Sequence, residues 1–151
     1  MIITASKGRS TLTVGEREIA SSCVVRNELN GWRKPNQVVY TIPSNIPYMP
    51  RKFPTGIWNI GTPVKRADEY KAPYYIPTDA WQFVDEWEVA YDLYIKPTGR
   101  RIKDYEYGMH YSTSGSTLGC IKILELDDLM YLVETICDAI EKKEEVKLIA
   151  L

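Results

Sequence analysis

What this sequence lacks narrows it before any motif is read. Its 151 residues hold one histidine and three cysteines, Cys23, Cys120 and Cys137, which lie far apart in the chain. An odd count without paired spacing is a poor disulfide framework. One His with three scattered Cys also lacks the ligand spacing of a zinc site, so neither a metal nor another cofactor is expected. No apolar run reaches the ~20 residues that a membrane helix needs. The formal net charge is −1, and like charges form no long block. Neither a nucleic-acid partner nor an anionic membrane surface is therefore expected. The segment Met1 to Lys7 has no basic stretch followed by an apolar one, so no secretory signal is visible. Phenylalanine is scarce, with two residues against eleven Tyr and four Trp. Amphipathic rings in that proportion suit a broad, wet binding surface as well as a core.

What is present reads as a β-rich chain of one domain, 1–151, long enough to bury a core. Ile2 to Ser6 and Ser10 to Val14 are short β-prone runs, broken by Lys7-Gly8-Arg9 and by Gly15-Glu16, which predicts a hairpin. Ile19 to Arg26 fits a third strand, with Cys23 as a small buried hydrophobe. Residues 27–54 are turn-rich, with Val38 to Ile42 as a short strand among prolines. Pro54-Thr55-Gly56 is turn chemistry, after which Ile57, Trp58 and Ile60 begin a strand. Lys65 to Pro77 reads as a charged, tyrosine-rich loop in which Pro73 and Pro77 exclude helix. Residues 78–87 fit a short helix or an irregular segment equally well. Val89 to Ile95 alternates as a strand, Pro97-Thr98-Gly99 makes a turn, and Arg100 to Ile102 restarts the chain. Asp127 is the expected N-cap of a helix, with Asp128 complementing its dipole. Leu129, Val133, Ile136, Cys137 and Ile140 recur at helical spacing, which places Cys137 in the core. Lys142-Lys143 ends the helix, and Glu144 to Leu151 closes the chain as a strand.

The chemistry concentrates between Tyr107 and Ile123. The lone His110 and Cys120 bracket nine residues, 111–119, most of them Ser, Thr or Gly. Such a segment is a polar loop able to fold back. With Tyr107 to Tyr111 and Ile121 to Leu124 as neighbouring strands, both side chains would stand at one end of a sheet. A thiol beside an imidazole is a nucleophile with its base, and the imidazole can pass the proton on to a leaving amine. Gly119 permits close backbone approach, and the N–H groups of Gly119 and Cys120 are candidates for an oxyanion hole. The competing reading is that Gly-Cys-Ile-Lys-Ile is simply a strand entering the core.

Tyr107-Gly108-Met109-His110, a Ser/Thr-rich loop and then Gly119-Cys120-Ile121-Lys122-Ile123 together resemble the signature of the L,D-transpeptidase catalytic domain, the YkuD family. Phe53-Pro54-Thr55-Gly56-Ile57-Trp58-Asn59-Ile60 is similar to that family's Thr-Pro-x-Gly-x-Phe-x-Ile strand. Leu126 to Val133 followed by Val146 to Ile149 is similar to its closing helix and terminal strand. The resemblance covers the order of elements over most of the chain, and only the central motif is specific. It implies a mainly β fold, sandwich- or barrel-like, with one C-terminal helix packed on the sheet.

The resemblance also implies a role for each site residue. Cys120 would attack a carbonyl of the peptidoglycan stem peptide and form a thioester. His110 would be the base, its tautomer held by the Tyr111 carbonyl. Ser116, Thr117, Lys122 and Tyr107 would meet substrate, Lys122 as a point charge where the family usually has an arginine. Lys52, Arg51, Lys65 and Arg66 are further cations that acidic stem peptides could meet, or else a solvated face. An amine acceptor gives transpeptidation; water gives carboxypeptidase or endopeptidase activity. The sequence departs from the pattern in its short His-to-Cys span, in Leu118 where a second histidine is usual, and in Thr117 rather than Ser116 at the usual hydroxyl position. Such a compact loop resembles members carried by phages and interbacterial effector systems, whose partner would be a cognate immunity protein. The site of action would be the periplasm or cell wall, reached by an export route the sequence does not show. A binding module that has kept the fold without catalysis is the alternative from another class.

Overall fold

A computed structural model describes residues 1–23, 52–66, 73–90, 93–105, 107–112 and 119–151. The expected strand Val38 to Ile42, the end of the third strand beyond Cys23, Arg51, and loop residues Ser116, Thr117 and Leu118 lie outside them. Among the described residues the chain is mainly β with one helix, and its main sheet curls into a half-barrel. The strands are β1 (Ile2–Ser6), β2 (Thr11–Val14), β3 (Arg17–Ser22), β4 (Gly56–Asn59), β5 (Val64–Lys65) and β6 (Tyr74–Pro77). They continue as β7 (Gln82–Ala90), β8 (Leu93–Asp104), β9 (Gly108–Tyr111), β10 (Ile121–Ile123) and β11 (Lys147–Ala150), with helix α1 (Leu126–Glu141) before the last.

Alternation builds the main sheet. In β1, β2 and β11 every second residue is apolar, so Ile3, Ala5, Leu12, Val14, Leu148 and Ala150 fall on one face and are buried. The pairings carry this face from strand to strand: Leu148 opposes Ile3, Ile3 opposes Val14, and Leu12 opposes Ile19. The nine strands follow the order β4-β11-β1-β2-β3-β10-β9-β6-β5. Two neighbouring pairs in it are parallel, β1 with β11 and β10 with β9. The hairpin between β2 and β3 turns on Gly15, whose φ of +61° is open to glycine at little cost.

The helix covers the buried face. Leu129, Leu132, Val133, Ile136 and Ala139 are its buried residues, and it packs against β6, β9 and β10. Removing a side chain of this size from water contributes about 1.5–3 kcal/mol. Cys137, expected in the core, is exposed. At about 100° per residue it lies a quarter-turn beyond Ile136, outside the stripe centred on Leu132 and Ile136. The N-cap is Glu125 rather than Asp127, because the Leu129 amide already donates to the Glu125 carbonyl at 3.1 Å. Asp127 and Asp128 then fall in the first turn, where Asp128 accepts from Arg17 at 2.8 Å.

Two other stretches differ from the sequence reading. Tyr74–Pro77, expected as loop, is a strand that pairs with both β5 and β9. Pro73 and Pro77 exclude helix, but a proline at a strand end removes no ladder bond that matters there. β7 and β8 pair antiparallel as a separate two-stranded sheet. The described part of the expected strand Val89 to Ile95 is therefore divided between them, residues 89–90 in β7 and 93–95 in β8. Pro97 opposes Trp87 within that sheet, beside a break in register between Asp85 and Trp87, and so interrupts a strand without ending it.

The helix ends in a Schellman arrangement: the Glu144 amide donates to Ala139 O at 2.9 Å and the Lys143 amide to Ile140 O at 2.9 Å. Lys143 adopts a φ of +61° to make this possible. A side chain in that region costs about 1–2 kcal/mol, part of which glycine returns as extra freedom in the unfolded chain. Lys143→Gly is therefore expected to raise unfolding stability by about 0.5–1 kcal/mol, read from a urea midpoint at unchanged slope.

Candidate active site

The site follows from one row of paired residues. Ser22 opposes Lys122, Lys122 opposes His110, and His110 opposes Tyr75. The neighbouring row, Ile121, Met109 and Ile76, is fully buried on the core side. Alternation then puts Ser22, Lys122, His110 and Tyr75 on the opposite face. Lys122 and Ser22 are nonetheless buried, at 4% and 6% exposure.

Cys120 precedes β10 in a bend with the buried Gly119, whose φ of +141° favours glycine. Because β9 and β10 are parallel, His110 lies near the end of its strand and Cys120 at the entry to the next. The two are not side by side at one end, as an antiparallel pair would have been. The register, extended one step, sets Cys120 level with Gly108, two residues before His110. Cys120 thus stands in the bend that opens the strand beside that of His110. Both residues are half-buried.

A backbone carbonyl orients the His110 ring. Its Nδ1 lies 3.2 Å from the Tyr111 carbonyl oxygen, so the contact implied by the family resemblance is present. An Nδ1–H donor leaves Nε2 as the lone-pair nitrogen. Burial pushes the imidazole pKa down; the Tyr111 carbonyl opposes this, and the nearby charges of Arg66 and Lys122 add to the fall. The ring is therefore neutral, and able to accept a proton, at neutral pH.

Cys23 is a second thiol close to the first. Burial pushes its pKa up to about 11, with Cys120 adding to the rise and Lys7 and Lys52 opposing it. Lys7 itself is fixed, donating to Phe53 O and to Thr55 Oγ1 at 2.7 Å each. A thiol raised that far is a poor nucleophile near neutral pH.

Tyr75 belongs to the site although sequence reasoning placed it in a loop. A Cβ built on Gly108 would fall on the Tyr75 phenol and within 2.6 Å of Ile76 O. The ring therefore leans from the level of His110 to the level of Cys120. Arg66 covers it at 4.9 Å from the ring centroid. The signal for this was available only in combination: a glycine opening one strand and a tyrosine in the strand beside it. Tyr107 is placed differently from the expectation. It is buried, donates to Asp104 Oδ2 at 2.5 Å and accepts from Gln82 Nε2 at 2.7 Å, and its parity sets it on the core side of β9. It braces the strand and is not offered to a substrate. Among the described residues no three His, Cys, Asp or Glu side chains cluster to hold a metal ion. Comparison of the chain with protein-family models, with curated proteins and with solved structures finds no match.

The depressed His110 pKa has a definite sign. Above the ordinary imidazole value of 6.5 both folded and unfolded chains carry a neutral ring, and stability is complete. Below it the unfolded chain binds a proton that the folded chain resists, so stability falls until the depressed folded pKa is passed. His110→Gln should flatten that slope in denaturation curves between pH 7 and 5, and the ring's NMR titration should centre below 6.5. Gly108→Ala should cost about 1–3 kcal/mol by overpacking, and Tyr75→Ala in the same chain should return part of it.

Proposed function

We propose that this protein is a cysteine acyltransferase of the L,D-transpeptidase type acting on peptidoglycan stem peptides in the periplasm or cell wall. The observation that supports this reading is the pairing of β10, which Cys120 precedes, with β9, which holds His110, together with the Tyr111 carbonyl 3.2 Å from Nδ1. Nε2 takes the Cys120 proton, and the thiolate adds to the stem-peptide carbonyl. The C–N bond then breaks, the proton passes from the imidazole to the departing amine, and a thioester remains on Cys120. A second amine resolves it to a cross-link. Water resolves it to a shortened peptide, and the nine-residue span between His110 and Cys120 favours that outcome by leaving little chain to cover an acceptor site.

Incubation with tetrapeptide muropeptides, followed by mass, tests the proposal. Dimers mean transfer and tripeptides mean hydrolysis. No product from the wild type would defeat it, as would product formation that survives Cys120→Ala. His110→Ala should lower kcat by about 10²–10⁴-fold.

Thiol alkylation checks the activation separately. Cys120 should label fastest and slow on His110→Ala; exposed Cys137 should label at an ordinary thiol rate in both proteins, and Cys23 slowest. Equal rates at Cys120 and Cys137 would contradict an activated thiol.

A further inference from the structure

The β7–β8 hairpin stands outside the nine-stranded sheet, and its two faces differ. On one face Val84 and Asp104 are buried. The other carries Phe83, Arg101 and Lys103, which alternation places together, with Trp81 just before the first strand. Phe83 is 48% exposed, and Tyr105, the next residue of that parity after Lys103, is 57% exposed. The rings and cations form a ladder. Trp81 and Phe83 meet edge to face at 5.2 Å, Lys103 Nζ lies 4.7 Å from the Trp81 centroid, and the Arg101 guanidinium 5.9 Å from that of Phe83. Each cation is thus held over a ring instead of roaming in solvent.

The base of this arm is fastened beside the site. Gln82 and Asp104, paired across the hairpin, both bond the Tyr107 hydroxyl, and Tyr107 leads directly into β9 and His110. Gln82 Nε2 also donates to Lys52 O at 2.9 Å. An apolar, cation-studded face joined to a candidate active site is a surface for a long substrate that continues beyond the reacting bond.

We infer that this face docks the amino-sugar glycan strand to which the stem peptides are attached. The inference rests on the peptidoglycan reading above. Flat apolar rings suit the C–H faces of pyranose units, and fixed cations suit the acetamido oxygens and the lactyl carboxylates of those units that carry no stem peptide. Charge density argues against a nucleic acid. A polyphosphate is held by neutralising many phosphates, whereas this face sets Arg101 and Lys103 against Asp85, and Arg100 is already paired with Glu86 at 2.6 Å.

The test uses the full chain carrying Cys120→Ala and two insoluble probes, whole peptidoglycan and peptidoglycan stripped of its stem peptides by an amidase. The protein should co-sediment with both. Phe83→Ala with Lys103→Glu should lower the fraction bound to stripped glycan at least fivefold, and Lys103→Glu alone should lower it measurably should the double variant fail to fold. In the Cys120-intact protein both changes should leave turnover of small soluble muropeptides unaltered. Absence of binding to stripped glycan, equal binding by the variants, or tighter binding to a single-stranded oligonucleotide would overturn the inference. Soluble muropeptide turnover reads the catalytic proposal alone, so the two can fail separately.

Discussion

Everything in the main sheet hangs on three residues. Ile121, Lys122 and Ile123 are all buried, and among the described strands β10 alone joins β3 on one side to β9 on the other. Ile121 and Ile123 fix its orientation, because they belong to the core that the helix covers. A one-residue slip would exchange those isoleucines for Lys122 and bury a charge against Leu129 and Leu132, at a cost of several kcal/mol. Apolar packing on one face thus determines which residues meet on the other. His110 faces Lys122 because Met109 must face Ile121.

Cations dominate the charges around Cys23 and His110. Lys7 and Lys52 act on Cys23, while Arg66 and Lys122 act on His110. The imidazole is oriented by a backbone carbonyl, and among the described residues the charges that act on it are those of Arg66 and Lys122. A ring in such surroundings gives up a proton readily once it has taken one, as a shuttle must. The two thiols differ in environment: Cys23 is buried and raised to about 11, and Cys120 is half-buried at the entry to β10.

Much of this was legible in the sequence, and the misses share a cause. The N-terminal hairpin, the strand after Pro54-Thr55-Gly56 and the last helix follow from turn chemistry and period, which are local. His110 and Cys120 stood out because the chain has no second histidine to offer; their catalytic pairing is a proposal. Register was not legible, since nothing within 107–123 states whether its two strands run together or opposed. Tyr75 was invisible as a site residue for that reason, since its place depends on β6 pairing with β9, and Arg66 was read only as one of several surface cations. Pro97 and Pro77 misled in the same way, as breakers that tertiary pairing absorbed at a bulge and a strand end. Cys137 was misplaced by one position on the helical wheel, a difference that only the packed sheet resolves.

The parallel pairing of β1 with β11 has a consequence for how the chain acquires its shape. Ile2–Ser6 lies against Lys147–Ala150, a pairing of very long sequence separation. A closure of that length brings its reward late, after most of the chain's entropy has been surrendered. Until then β1 and β2 hold an open hydrogen-bonding edge where β11 will sit, and Ile3 lacks Leu148 beside it. The β1–β2 half of the sheet is therefore completed by a strand far along the chain, so its assembly depends on a long-range closure.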